Sequence, residues 1–97
     1  GLERKTVLTY FKENNEYYLI ASNGGSDHHP SWFYNLKKYP EVKIIIDGEK
    51  INVLAEEIVN QDKKEYWIKI NYLFNSRYDK YQKSTTREIP VFRLIKK

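Results

Sequence analysis

The sequence contains no cysteine and no methionine, and only two histidines, three prolines and four glycines. Without cysteine there is no disulfide, no thiol nucleophile and no ordinary structural zinc site. The two histidines, His28 and His29, are neighbours. Adjacent side chains on an extended segment point opposite ways, so the pair is a poor metal chelate. No serine or threonine has a recognisable His/Asp partner, which removes the usual hydrolase triad. Long hydrophobic runs are missing too. The longest aliphatic stretch is Ile44 to Ile46, far short of the ~20 apolar residues of a membrane-spanning helix. No basic-then-apolar leader opens the chain. Together with the lack of cysteine, this gives the expectation of a cytoplasmic address.

What is present suffices for one small globular domain. The chain has 97 residues, 40% of them hydrophobic, 15% aromatic and 31% charged, too apolar and too balanced in charge for a disordered tail. The net charge of +4 is unevenly spread. In segment 77–97, Arg77, Lys80, Lys83, Arg87, Arg93, Lys96 and Lys97 face only Asp79 and Glu88. A basic edge of this kind attracts anions, or simply keeps a tyrosine-rich surface soluble.

The local patterns predict an antiparallel, mainly β domain. Residues 3–11 read as a strand with bulk on both faces, followed by a turn at Asn14-Asn15 and a returning strand over 17–21. A polar loop, Ser22 to Pro30, precedes a helix that Ser31 can cap and Pro40 ends. Val42 to Ile46 and Lys50 to Val59 read as a hairpin around Asp47-Gly48. Residues 61–74 read as a helix with Tyr66, Trp67, Ile70, Leu73 and Phe74 on its apolar face and Asn71 off it. Arg77 to Lys83 is a second short helix, and Ile89 to Ile95 a closing strand. Such a sheet tends to curl into a barrel to remove its edges, with helices over the open ends. A small barrel with one open edge can also pair into a homodimer, with a ligand at the seam.

Two segments could carry chemistry. In the loop, Gly24 and Gly25 allow backbone to approach a ligand, Ser22 and Asn23 supply a hydroxyl and an amide, and the following helix aims N–H groups at the same place. The alternative is a plain surface turn. In the second segment, Tyr78 and Tyr81 share a helical face, with Arg77, Lys80, Lys83 and Arg87 nearby. That face could stack a flat ring and hold a phosphate, or stack bases of a single-stranded nucleic acid. The alternative is that the aromatic residues pack on the sheet, most of all Tyr66, Trp67 and Phe74.

Several pieces, in order along nearly the whole chain, resemble the nitroreductase family of deazaflavin-dependent oxidoreductases. They are Leu8-Thr9-Tyr10, Ala21-Ser22-Asn23-Gly24-Gly25, His29-Pro30-Ser31-Trp32-Phe33-Tyr34-Asn35-Leu36, Pro40-Glu41-Val42, and the ending Tyr78-x-x-Tyr81-x-x-x-Thr85-Thr86-Arg87-x-Ile89-Pro90-Val91-Phe92. The resemblance implies a split β-barrel of five or six antiparallel strands with two to three short helices, spanning 1–97. It implies coenzyme F420, a deazaflavin, with FMN as the alternative. It also implies hydride transfer to a small electron-poor acceptor such as a nitroaromatic, quinone or enone. By the same likeness Ser22, Asn23, Gly24 and Gly25 line the coenzyme, Trp32 and Asn35 stand near its ring system, and Tyr78 and Tyr81 shape the acceptor pocket. Arg87 occupies the family's basic position before Ile-Pro-Val. Tyr78, Tyr81 and Ser22 are then the candidates to act on the acceptor through a hydroxyl.

The family has two features that differ here. Its members carry more chain ahead of the first strand, a segment this sequence is expected to miss, and the position after Gly-Gly that is often basic falls around Asp27-His28. A lost cation there weakens the hold on an anionic coenzyme tail and keeps FMN in view. The rival function is a binding module without turnover, for a flavin, a deazaflavin or, as an unlikely partner, a nucleic acid.

Overall fold

The computed structural model describes residues 7–97. Strand β1 (Tyr10–Glu13) turns into β2 (Glu16–Ile20) through Asn14 and Asn15, whose φ values of 52° and 65° make the type I′ turn that suits strand twist. Asp47 and Gly48, at 52° and 80°, do the same between β3 (Glu41–Ile46) and β4 (Glu49–Ile58). The helices are α1 (Ser31–Lys38), α2 (Asn60–Leu73) and α3 (Arg77–Lys83), and β5 (Val91–Lys96) closes the order. A short 3-10 turn at Asn23–Gly25 follows β2.

All neighbouring strands are antiparallel, in the order β1-β2-β5-β4-β3. The mainly antiparallel, split-barrel-like α+β architecture is therefore the one read from the sequence, with five strands and three helices. The curl does not close: β1 and β3 remain edges among the described residues. The helices cover faces rather than open ends. Tyr18, Ile20, Ile58 and Val91 point toward Ile70 of α2 and Tyr78 of α3. On the other face Tyr17, Leu19, Val53, Phe92 and Leu94 pack with Leu36 of α1. Strand β5 is central and buried on both faces, so truncating Phe92 to alanine should cost about 3–5 kcal/mol. Arg93, opposite Tyr18 and Glu56 in the register, holds Glu56 at 2.7 Å and approaches Glu16 at 3.7 Å.

Three local expectations are corrected. Among the described residues the first strand begins at Tyr10, and residues 7–9 are outside it; the part of that expectation over residues 3–6 lies outside the described residues. The pairing of β1 with β2 runs from Tyr10 opposite Leu19 to Glu13 opposite Glu16. Pro30, not Ser31, is the N-cap of α1, and Ser31 is its first helical residue. On α2, Leu73 is exposed while Asn71 is 5% exposed. Asn71 is buried because its side chain ties two helices together. Its Nδ2 donates to Trp67 O at 2.8 Å, and its Oδ1 accepts from the Asp79 N–H at 2.8 Å, capping α3 from α2.

Candidate functional site

The end of β2, the 3-10 turn, the start of α1 and the start of α3 converge on one cavity. Its volume is about 300 Å3, and Ser22, Asn23, Gly24, Trp32, Tyr78 and Tyr81 are in its lining. Six of the residues singled out in the sequence are thus brought together from segments almost 60 positions apart. The rest of the wall comes from Val7, Leu8, Thr9, Ile20, Pro30 and Arg77.

Each wall has a local cause. Gly24 has φ +63° with open space where a Cβ would stand, so the turn presents bare backbone to the cavity. Trp32 is fixed by packing on Phe92, with ring centroids 6.1 Å apart. Tyr78 and Tyr81 contact edge to face at 5.9 Å, and Tyr78 meets Phe74 the same way at 5.6 Å. The helix that carries the tyrosines is held by α2: Trp67 Nε1 donates to Asp79 Oδ1 at 2.6 Å. Burial pushes the Tyr78 phenol above its ordinary pKa of 10.0, against the opposing pull of Arg77. Tyr78 therefore keeps its proton at neutral pH and can donate it to a ligand.

Three residues singled out in the sequence stand elsewhere. Asn35 is exposed on α1 and outside the lining. Gly25 is buried, with φ +85°, and a Cβ there would run into Ser84 Oγ. Its close approach is to its own chain: Ser84 Oγ lies 2.8 Å from Gly25 O and 2.7 Å from Tyr81 O, joining the turn to the end of α3. Arg87 is behind the cavity. Its guanidinium donates to Ser26 O at 2.9 Å, to Ala21 O at 3.2 Å and to Ser22 O at 2.9 Å, and meets His29 Nδ1 at 2.9 Å. Among the described residues, no cluster of three or more His, Asp or Glu could hold a metal ion.

Comparison with known proteins gives this cavity a context. The sequence profile of the family described as F420H(2)-dependent quinone reductase matches residues 1–96. The chain belongs to that family. Quinone reductases of this name from two Mycobacterium tuberculosis strains are 34% identical over 96 residues, which is 97% of this chain and 64% of theirs. The chain thus spans less than two thirds of the length of these curated relatives. Among solved structures, an F420-H2 dependent reductase superposes with a TM-score of 0.79 at 32% identity, covering 90% of this chain and 76% of its own. A structure described as a domain-swapped dimer gives 0.80 at 32% identity, covering 90% and 65%.

Membership of a coenzyme F420-dependent family can be weighed against the cavity itself. A flat tricyclic ring needs aromatic walls and a few polar groups at its rim. Trp32, Tyr78 and Tyr81 supply the first, and Ser22, Asn23 and the open backbone at Gly24 the second. Arg77 brings a cation for an anionic tail. The residues present fit the group. Thr9, like its neighbours Val7 and Leu8, is a lining residue that local patterns do not show, because 3–11 reads as one strand and a strand hides which residues leave the sheet. Its only signal was the Leu8-Thr9-Tyr10 piece of the family likeness.

Proposed function

We propose that this chain reduces a small electron-poor acceptor, a quinone in the first instance, with coenzyme F420 as the donor. The observation that carries the reading is the single cavity bounded by the Ser22–Gly24 bend on one side and by Tyr78 and Tyr81 on the other. Reduced coenzyme F420, when bound, supplies a hydride, and that organic chemistry is its own. The protein's part is to orient, to exclude water and to manage charge. Trp32 and the bare backbone at Gly24 would hold the ring, Asn23 would offer an amide to its polar rim, and Arg77 would supply a cation for an anionic tail. As the acceptor oxygen gains negative charge, a hydroxyl of Tyr78, Tyr81 or Ser22 donates a hydrogen bond to it and then a proton. The buried Tyr78 enters that step protonated.

We further read the chain as a cytoplasmic enzyme and as a homodimer. Support for the second comes from the two sheet edges left unpaired among the described residues and from the domain-swapped dimer among its structural neighbours. Among the described residues no helix is long and apolar enough to cross a membrane.

The test is anaerobic mixing of the protein with reduced coenzyme F420 and a simple benzoquinone or naphthoquinone. Recovery of the oxidised coenzyme's visible band should outpace the protein-free control. A rate equal to that control, with FMN or oligonucleotides bound instead, overturns the reading in favour of a binding module.

A further inference from the structure

We propose that Arg87 is the positioning residue of the candidate cavity, and that it acts through a clamp requiring neutral His29. The inference rests on the coenzyme reading only for its effect on affinity; the clamp itself is independent of any ligand.

The geometry comes from both ends of the chain. Arg87 sits in the segment between α3 and β5, and the residues it binds lie 58 to 66 positions earlier. Its Nε and one Nη donate to three carbonyls of the same bend: Ala21, Ser22 and Ser26. Those carbonyls bracket Asn23 and Gly24, two lining residues with left-handed φ values of 47° and 63°, a conformation that costs energy at the non-glycine Asn23. Its other Nη meets His29 Nδ1 at 2.9 Å. A guanidinium has donors only, so that ring nitrogen must accept, and it accepts only when His29 is neutral. The bond assigns the remaining proton to Nε2. Two further contacts hold the segment that carries Arg87: Gln82 Nε2 donates to Arg87 O at 2.7 Å, and Gln82 Oε1 accepts from the Ile89 N–H at 2.9 Å.

The surroundings of His29 favour the neutral form. Phe33 stacks on the ring with centroids 4.2 Å apart, and Tyr34 meets it edge-on at 5.9 Å. Desolvation and the Arg87 charge lower its pKa from 6.5, while Glu57 of β4 opposes them. Glu57 is itself engaged by Lys37 of α1 at 2.8 Å. Around Arg87 the charged neighbour is Asp27, on the same loop. Protonating His29 removes the acceptor and sets two cations side by side. The clamp then loses one of its four contacts, and the bend loses its fixed shape. A lysine cannot replace Arg87, because one ammonium does not span three carbonyls and a ring.

The test compares wild type, Arg87→Lys and His29→Asn by amide hydrogen exchange and by coenzyme F420 titration between pH 5 and 8. The asparagine Oδ1 can accept from Arg87 at any of these pH values. After correction for intrinsic rates, residues 22–28 should exchange faster in Arg87→Lys at all pH values. In wild type they should do so only as pH falls through the His29 titration, and His29→Asn should abolish that pH dependence. Affinity for coenzyme F420 should follow the same pattern, about 10-fold weaker in Arg87→Lys at pH 7. Exchange in residues 22–28 that is unaffected by Arg87→Lys overturns the clamp. So does a pH dependence that survives in His29→Asn. If Arg87→Lys does not fold, the wild-type and His29→Asn profiles decide alone. Exchange behaving as described in a protein that never binds coenzyme F420 supports the clamp and overturns the coenzyme reading.

Discussion

Tyr78 is 5% exposed, and burial raises the pKa of its phenol further above the ordinary 10.0 against the pull of Arg77, so the group is protonated at neutral pH. A hydroxyl that donates only in the transition state contributes to kcat and little to binding. Tyr78→Phe should therefore lower kcat about 10- to 100-fold, with coenzyme affinity within about threefold of wild type. Stopped-flow turnover and an equilibrium titration on the same preparation check the split. A loss of affinity without a loss of kcat would reassign Tyr78 to the coenzyme wall. Gly25 calls for the opposite separation. A side chain there must adopt φ +85° and displace Ser84 Oγ, so Gly25→Ala should cost about 1–3 kcal/mol in urea unfolding before any ligand is added. The pair Gly24-Gly25 looks alike in sequence, yet Gly24 opens on the cavity and Gly25 packs under α3. The difference is set by residues 59 positions away, which no local pattern reports. His29 adds a pH dependence of definite sign. Its folded pKa lies below the unfolded 6.5, so the unfolded chain binds the proton first. Stability should be level above about pH 6.5, fall as pH drops through the folded value, and level off below it.

At the scale of elements, what could be read in the sequence is what local chemistry decides. Both type I′ hairpins follow from Asn14-Asn15 and Asp47-Gly48, and α3 spans the predicted Arg77 to Lys83. Val7 to Phe11 is β-prone over its whole length, while its pairing with β2 starts only at Tyr10, opposite Leu19. Asn71 was placed off the apolar face of α2 for a similar reason: its burial is justified by the Asp79 N–H, a group on another helix. That bond matters for the site. The cap of α3, Ser76, is left-handed at φ 61° and makes no side-chain cap bond, so Asn71 supplies the missing acceptor. Asn71→Ala strands the Asp79 N–H and should destabilise the protein by about 1–3 kcal/mol in chemical unfolding. It should also free Tyr78 and Tyr81, seen as weaker coenzyme binding at temperatures where the protein is still folded. Retained stability would mean that water replaces the amide.

Across the whole molecule, the open sheet leaves two edges with different prospects. β1 is four residues long, too short to template much. β3 is six residues long, with Ile45 58% exposed. In a two-residue hairpin the closing pair, Ile46 and Glu49, exchange hydrogen bonds with each other, so the N–H and C=O groups of β3 that have no strand partner among the described residues belong to Glu41, Lys43 and Ile45. A two-fold axis at Ile45 would set that residue against its own copy and Lys43 against Asp47 of the partner subunit. This places opposite charges at both ends of an aliphatic strip. A shift by one residue on each strand, placing the axis at Ile44, loses the charge match, and an axis at Lys43 puts like charges together. The homodimer reading therefore commits to β3. Sedimentation velocity on the protein should give a mass near twice the 11.7 kDa of the chain. Ile45→Lys should give the single-chain mass with an unchanged circular dichroism spectrum, since the side chain is outside both cores. Wild type remaining at the single-chain mass at every concentration would remove the dimer. A dimer that tolerates Ile45→Lys would move its interface away from this edge.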